Sequence, residues 1–323
     1  MMTLLRVATG RHADFVALAL ALATTTLTGC GPAATVDSAA AEGLYVLAPD
    51  AGGAARLTLW TGAPGEDATR DVALPAAATT WVSSGRARVL AATLLDGSLL
   101  TSDPVDADDS ADLVWRPVEA RDLAGKASDD PAWFVTWDPQ GGRFATITGD
   151  LPGGADVALT LIDPTTSSVF VIPLGRALLP SAPVWIGEDR VALVGGTTAE
   201  PQAIVVDTAT GEIQDGPPGA RRLATSADAS VIATTGGPGS PVVLYATAGW
   251  RSGSRDAIAS IDGPDGEAQA TSMALDPKGQ RLAIVWQGGA GGVRLEVHTR
   301  TAAWRQATTV DAVGSAAAVA WSR

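Results

Sequence analysis

Residues 137 to 145 read W-D-P-Q-G-G-R-F-A, and residues 275 to 283 read L-D-P-K-G-Q-R-L-A. In each stretch an apolar residue precedes an Asp-Pro-x-Gly turn, and an apolar run follows it. Because proline fixes φ and glycine accepts a positive φ, this order predicts a strand, a tight turn and a second strand. We interpret the pattern as the first hairpin of a repeated unit.

Related segments start at four other positions, which are Trp81, Trp185, Ala224 and Trp321. All the starts lie 39 to 56 residues apart, with an average of 48. Short runs rich in Val, Leu, Ile and Thr fill the intervals, and no segment keeps an apolar period of 3.6 residues. A repeat of about 40–50 residues with four short strands is typical of a β-propeller blade. The sequence therefore predicts an all-β propeller.

The two ends of the chain supply one further blade. Residues 43 to 75 contain three strand-like runs, whereas residues 316 to 321 contain a single run with nothing after it. We expect these runs to share one blade, because such a closure removes the open sheet edges. The prediction is a six-bladed propeller over residues 43–323. A seventh blade would require a degenerate repeat within residues 103 to 131, and we favour six.

The repeats resemble those of TolB-like or WD-repeat-like six-bladed propellers of bacterial envelopes, whose blades often begin W-S-P-D-G. The likeness is good at Trp137 and Leu275, weaker at Trp81 and Trp185, and poor at Ala224. The resemblance implies the fold and a tendency toward binding roles. The layout is also similar to the propeller part of LpqB-type lipoproteins, which carry an additional domain.

The N-terminal residues have the pattern of a lipoprotein leader. An apolar run at residues 15 to 27 is shorter than the roughly 20 residues that a spanning helix needs. It ends in Leu27, Thr28 and Gly29, which precede Cys30, the one cysteine of the chain. We predict a signal peptide over residues 1–29, recognised by its peptidase through Leu27, Thr28 and Gly29. An ordinary signal peptide with a chance cysteine is the alternative.

Lipid on Cys30 would attach residues 30–42 to a bilayer as a flexible tether. Two or three acyl chains hold a domain stably on a membrane. The sequence therefore predicts an extracytoplasmic protein anchored to the cell membrane, or to an outer membrane if the organism has one. The net charge of −13 argues against nucleic acid as a partner.

The residue inventory limits the possible chemistry. After the leader the chain has one histidine, His298, and no asparagine. A serine or cysteine nucleophile therefore lacks the set of partner residues that a catalytic triad needs. The same counts exclude a transition-metal site made of several imidazoles or thiolates. We expect no cofactor and no catalysis, and a hydrolase with paired carboxylates stays open. Alternation places His298 with Arg294 and Glu296 on a face that we expect to be solvated.

An acidic segment offers a secondary metal candidate. Its side chains could contact calcium, although the glycine and terminal glutamate of an EF-hand loop are absent, and a solvated loop is favoured. The candidate ligands are Asp106, Asp108, Asp109 and Asp112.

The tryptophans fall into two groups. Those at the repeat position are expected to pack between blades, and they are Trp81, Trp137, Trp185 and Trp321. Those at strand ends or in loops are candidates for contact with a ligand, and they are Trp60, Trp115, Trp133, Trp250 and Trp304.

Loops that join the fourth strand of one blade to the first strand of the next supply the candidate binding surface. Its residues are Arg121, Lys126, Asp129, Asp130, Trp133, Arg176, Arg221 and Arg222. We predict a protein-binding scaffold module with an envelope protein as its partner and a monomer as its state. The alternative is binding of a small ligand or glycan through the propeller channel.

Overall fold

The computed structural model describes residues 43–49, 54–60, 69–85, 89–103, 113–118, 121–122, 131–149, 156–254, 256–288, 292–300, 304–310 and 318–321. These residues form six separate sheets, each an antiparallel blade of four strands with one addition in the third blade. The predicted six-bladed β-propeller is confirmed.

The strands are as follows in chain order. Blade 1 contains β1 (Leu44–Pro49), β2 (Ala55–Trp60) and β3 (Thr69–Val72). Blade 2 contains β4 (Thr79–Ser84), β5 (Leu90–Leu94), β6 (Leu99–Ser102) and β7 (Trp115–Pro117). Blade 3 contains β8 (Arg121–Asp122), β9 (Ala132–Trp137), β10 (Phe144–Thr148), β11 (Ala158–Asp163) and β12 (Ser168–Pro173).

The second half continues in the same order. Blade 4 contains β13 (Val184–Trp185), β14 (Arg190–Gly196), β15 (Pro201–Asp207) and β16 (Ile213–Pro218). Blade 5 contains β17 (Arg222–Thr225), β18 (Val231–Thr235), β19 (Val242–Ala246), a short helix α1 (Thr247–Arg251) and β20 (Ala257–Ile261). Blade 6 contains β21 (Gln269–Leu275), β22 (Arg281–Gln287), β23 (Val293–Arg300) and β24 (Trp304–Val310), and β25 (Ala318–Trp321) follows it.

The ring closes through β25, which belongs to blade 1. It pairs antiparallel with β1, so that Leu44 lies opposite Trp321 and Leu47 lies opposite Ala318. The innermost strands are β25, β4, β9, β13, β17 and β21, and each contacts the innermost strands of both neighbouring blades. The predicted sharing of one blade by the two ends of the chain is confirmed.

The hydrophobic core lies between blades. The buried apolar residues form six clusters, and each cluster joins two consecutive blades. Trp185 of blade 4 belongs to the same cluster as Leu159 of blade 3, for example, and Val297 of blade 6 to the same cluster as Leu44 of blade 1. Burial of apolar surface on both sides of every blade therefore holds the ring together.

Double-sided burial explains why the middle strands lack simple alternation. All five residues of β10 are buried, as are all five of β18. A strand with neighbours on both faces has no side that must be polar. Continuous short apolar runs in the sequence are the result.

The Asp-Pro-x-Gly turns form as predicted. Gly141 and Gly279 have positive φ values of 71° and 62°. The carboxylate of Asp276 accepts hydrogen bonds from the backbone N–H groups of Gln280 and Arg281, at 2.6 and 3.0 Å. These turns link the first and second strands of blades 3 and 6.

The repeat alignment was wrong in two blades. Strand pairing places Trp137 opposite Phe144, and the equivalent pair in blade 2 is Ser84 with Leu90 rather than a pair that contains Trp81. In blade 5 the equivalent residue is Thr225, one position after Ala224. Backbone register fixes the repeat position, and a tryptophan is not required there.

The predicted leader and tether, residues 1–42, lie outside the described residues. In the part of the chain that is described, no helix has the length and apolar character needed to cross a membrane.

Candidate functional site

We call the side of the ring at which the innermost strands begin the upper face. The loops between the second and third strands reach the same side. The N–H of Ala132, at the start of β9, donates to the carbonyl of Gly97 in the β5–β6 loop at 2.9 Å. Leu178, ahead of β13, forms a β-bridge with Gly195 at the end of β14. The upper face is thus built from two kinds of loop that contact one another.

Four predicted surface residues lie on the upper face with described side chains. The indole N–H of half-buried Trp133 donates to the carbonyl of Gly149 at 2.6 Å. Exposed Arg176 forms an ion pair with Asp215 at 2.7 Å. Arg221 and Arg222 follow each other directly at the start of β17.

Each of these two adjacent arginines donates a hydrogen bond to a neighbouring loop of blade 4. Arg221 donates to the carbonyl of Thr198, in the β14–β15 loop. Arg222 donates to the carbonyl of Pro180, ahead of β13. The predicted surface therefore includes a patch that is fixed in place by bonds between blades 4 and 5.

The other predicted site residues do not add described side chains to this patch. The backbone of Arg121 forms β8, which pairs parallel with the beginning of β12 as a fifth, outermost strand of blade 3. The remaining ones fall outside the described residues, and they are Lys126, Asp129, Asp130, the calcium candidates Asp106, Asp108, Asp109 and Asp112, and the lipobox residues Leu27, Thr28, Gly29 and Cys30. Among the described residues, no cluster of three or more His, Cys, Asp or Glu could hold a metal ion.

The innermost strands enclose a central channel with a cavity of about 220 Å³. Its described wall consists of residues 81–84, 134–136, 180–184, 222–225, 271–275 and 319–321. Every blade contributes one segment. The cavity therefore lies on the axis of the propeller, and Arg222 lines it at the start of its strand.

The described channel wall contains one charged residue, Arg222. The remainder is apolar or carries hydroxyl groups, such as those of Ser83 and Thr136. Trp81 and Phe134 form an aromatic pair on this wall, with ring centres 5.3 Å apart and planes at 86°. The described wall thus combines one cation, Arg222, with an aromatic surface formed by Trp81 and Phe134.

Arg222 has little compensation for its charge. Burial lowers the pKa of its guanidinium from the ordinary value, and the charge of Arg221 lowers it further. Its Nε is buried and has no hydrogen-bond partner among the described residues. An anion close to this guanidinium would be favourable, because it would offset the positive charge of both arginines and accept a hydrogen bond from the unpaired Nε–H.

The tryptophans follow the predicted grouping only in part. Trp81 packs against the clusters between blades 1 and 2 and between blades 2 and 3, as predicted, and its half-buried side chain also lines the channel. Its indole N–H donates to the carbonyl of Val135 at 3.1 Å. Trp60 and Trp250, expected as contact residues, are buried with 9% and 2% exposure. Trp115 donates across the blade boundary to the carbonyl of Ala73. The side chain of Trp304 is outside the described residues.

The predicted solvated face of β23 was also wrong. Glu296 and His298 are 4% and 5% exposed. The Oε2 atom of Glu296 lies 2.9 Å from Nε2 of His298 and accepts a hydrogen bond from the indole N–H of Trp286 at 3.1 Å. Trp286 belongs to the cluster between blades 5 and 6, so the polar face of β23 packs against a neighbouring blade.

Several described carboxyl groups accept hydrogen bonds within turns. Burial would raise the pKa of Asp163, but hydrogen bonds from Thr166 and Thr165 outweigh it and hold the pKa below its ordinary value. Similar hydrogen bonds within turns lower the pKa values of Asp207 and Asp228. A general acid needs a raised pKa, and each described carboxyl group with a resolved shift has a lowered one.

No family model matches the chain, and no curated protein matches its sequence. Solved structures do match. TolB from Acinetobacter baumannii superposes with a TM-score of 0.62 at 12% identity, over 87% of this chain and 66% of the TolB chain. A chain of a nidogen/laminin complex gives a TM-score of 0.58 at 9% identity, over 87% of this chain and 99% of that one.

A third structure shows that the likeness does not select an activity. It is a protein of Bacteroides uniformis, named provisionally as a 6-phosphogluconolactonase, with a TM-score of 0.50 at 8% identity, over 84% of this chain and 83% of that one. This chain spans about two thirds of the TolB chain. At these identities the comparisons show the fold, and the chain is a six-bladed β-propeller with the architecture of TolB-like propellers.

Proposed function

We propose that this protein is a lipid-anchored, extracytoplasmic module that binds a protein partner through its upper face. The observation that carries the proposal is the position of Trp133, Arg176, Arg221 and Arg222 on one side of a closed ring. Aromatic and arginine side chains are the residue types most enriched in protein interfaces.

Two further features support this proposal. The upper-face arginines are held by neighbouring groups, Arg176 by Asp215 and Arg221 by Thr198, so little side-chain entropy would be lost on binding. One similar structure is a complex between two proteins, nidogen and laminin. The lipobox at Cys30 supplies the anchor in this proposal.

Site-specific photo-crosslinking in native membranes tests the interface. A photoreactive amino acid replaces exposed Arg176 on the upper face, and a matched variant carries it at exposed Ala209 in the β15–β16 turn on the opposite side. We expect one discrete covalent adduct from position 176 and none from position 209. Equal adducts from both positions, or none from either with both proteins folded by circular dichroism, would contradict the proposal.

A further inference from the structure

We propose that the central channel binds a small organic carboxylate, with its anionic group on Arg222 and its apolar part against Trp81 and Phe134. Arg222 belongs to both sites, but the proposal does not require the protein-binding role of the upper face. It follows from the state of Arg222, the composition of the wall and the size of the cavity.

Arg222 presents donors that the protein leaves unused. A guanidinium has five N–H donors, and the described structure assigns one bond, from Nη1 to the carbonyl of Pro180. The buried Nε has no partner among the described residues. Leaving the buried Nε–H of a charged group unpaired is unfavourable, so an acceptor that supplies this bond would bind with a gain.

The charge of Arg222 is also uncompensated. Among the described residues, the charged group that shifts its pKa is Arg221, which repels it. The described wall of the channel contains no aspartate or glutamate, although the whole chain carries 35 acidic residues. An anion that enters the channel therefore meets one cation and no described carboxylate, which gives selectivity for negative charge.

The aromatic surface lies across the channel from this cation. Arg222 is on the innermost strand of blade 5, and Trp81 is on that of blade 2, the blade opposite in a ring of six. The indole N–H of Trp81 is already bonded to Val135, so the ring offers its apolar surface to the channel. Phe134 extends this surface at its side. A ligand with a charged end and an apolar body matches both walls.

The cavity limits the size of the ligand. Its volume of about 220 Å³ is below the range of about 300–1,000 Å³ that holds drug-sized molecules. The ligand is therefore a small molecule rather than a folded segment. Its carboxylate can form a bidentate pair with a guanidinium, which adds geometric selectivity.

Calorimetric titration of the full-length protein in detergent tests the proposal with two isosteric probes, benzoate and its uncharged amide, benzamide. We expect benzoate to bind at least tenfold more tightly than benzamide, and more tightly than acetate, which lacks the apolar body. Benzamide binding as tightly as benzoate would overturn the role of charge. Acetate binding as tightly as benzoate would overturn the role of the aromatic wall, and no heat with benzoate would overturn the site.

Substitutions of Arg222 test whether this residue binds the carboxylate of the ligand. We expect Arg222→Gln to weaken benzoate binding at least tenfold and Arg222→Lys to weaken it less. The matched control, Arg116→Gln, changes an exposed arginine that pairs with Asp103 outside the cavity wall, and it should bind benzoate as the parent protein does. Unchanged affinity in Arg222→Gln would refute the assignment. If that variant does not fold, the benzoate and benzamide comparison on the parent protein still decides.

Discussion

The guanidinium of Arg281 lies 4.3 Å from the centre of the Trp321 ring, and this contact joins blade 6 to the strand that closes the propeller. Arg143 and Trp185 repeat the arrangement at 5.0 Å between blades 3 and 4. In both cases the arginine follows the Asp-Pro-x-Gly turn of one blade and stacks on the tryptophan at the repeat position of the next. The sequence signature thus encodes a link between blades as well as a hairpin.

Loss of this link should destabilise the ring. Arg281 also forms an ion pair with Asp276 at 3.2 Å, and the carboxylate side chain is 3% exposed. We expect Arg281→Met to lower the free energy of unfolding by about 1–3 kcal/mol, because the stacking contact and the partner of a buried carboxylate are both lost. Denaturant unfolding measures the change.

The matched control is Arg56→Met. Arg56 pairs with Asp71 in blade 1, with side chains that are 59% and 62% exposed, so its loss should cost less than about 1 kcal/mol. A cost for Arg281→Met no larger than that for Arg56→Met would show that the stacking adds nothing to stability.

Truncation of the closing tryptophan should have a larger effect. Trp321 is 4% exposed and packs between blades 6 and 1. Replacement by alanine should lower the free energy of unfolding by about 3–5 kcal/mol, because a large buried side chain leaves a cavity. Trp133→Ala, at a half-buried position of the upper face, should cost clearly less in the same denaturant titration. Equal costs would argue against a stabilising closure.

The buried Glu296–His298 pair should make stability depend on pH. Burial alone would raise the pKa of Glu296, but contacts with His298, Arg294 and Trp286 lower it below the ordinary value of 4.5. A carboxyl group with a lowered pKa in the folded state contributes stability that is complete above its unfolded pKa and is lost as the pH falls through its folded pKa. We expect Glu296→Gln to cost about 1.5–3 kcal/mol at neutral pH.

This cost should shrink as the pH falls below 4.5, where the parent protein loses the contribution of Glu296 as well. Unfolding curves of both proteins across this pH range provide the measurement. Glu267→Gln changes an exposed glutamate and serves as the control. A difference between parent and Glu296→Gln that stays constant with pH would exclude a titrating role for this carboxyl group.

The predicted anchor requires the thiol of Cys30. Cys30→Ser cannot form the thioether to lipid, so we expect the protein to leave the membrane fraction and to lose incorporation of labelled palmitate. The parent protein and a Ser38→Ala variant, changed in the same tether, should both retain the label. Retention of Cys30→Ser in washed membranes would show that another element holds the protein there.

The fold could be predicted because its signals are local. The Asp-Pro-x-Gly turns around Pro139 and Pro277 depend on the chemistry of a few adjacent residues. The spacing of these and the related segments predicted the number of blades, and the unmatched runs at both ends of the sequence predicted the closure. The position of Trp81 could not be predicted, because pairing of Ser84 with Leu90 sets the register in blade 2 and neither residue stands out in the sequence.

The sequence predicted only part of the candidate site. Connectivity placed Arg176, Arg221 and Arg222 in loops between blades, and the structure brings them to one face. The unpaired state of Arg222 depends on what lies across the channel, and the sequence does not contain that information. The burial of His298 was missed because alternation implies a solvated face only when one side of the sheet is free.

The pairing of β1 with β25 has a consequence for biosynthesis. Leu44 and Trp321 are partners in one sheet, yet they stand near opposite ends of the chain. Domains begin to fold while synthesis proceeds from the N-terminus. Blade 1 is therefore the first blade to be translated and the last to be completed. Until residue 321 is made, the growing chain exposes the edge of β1 and the apolar side chains of Leu44 and Val46, and it is then most open to aggregation and to chaperones.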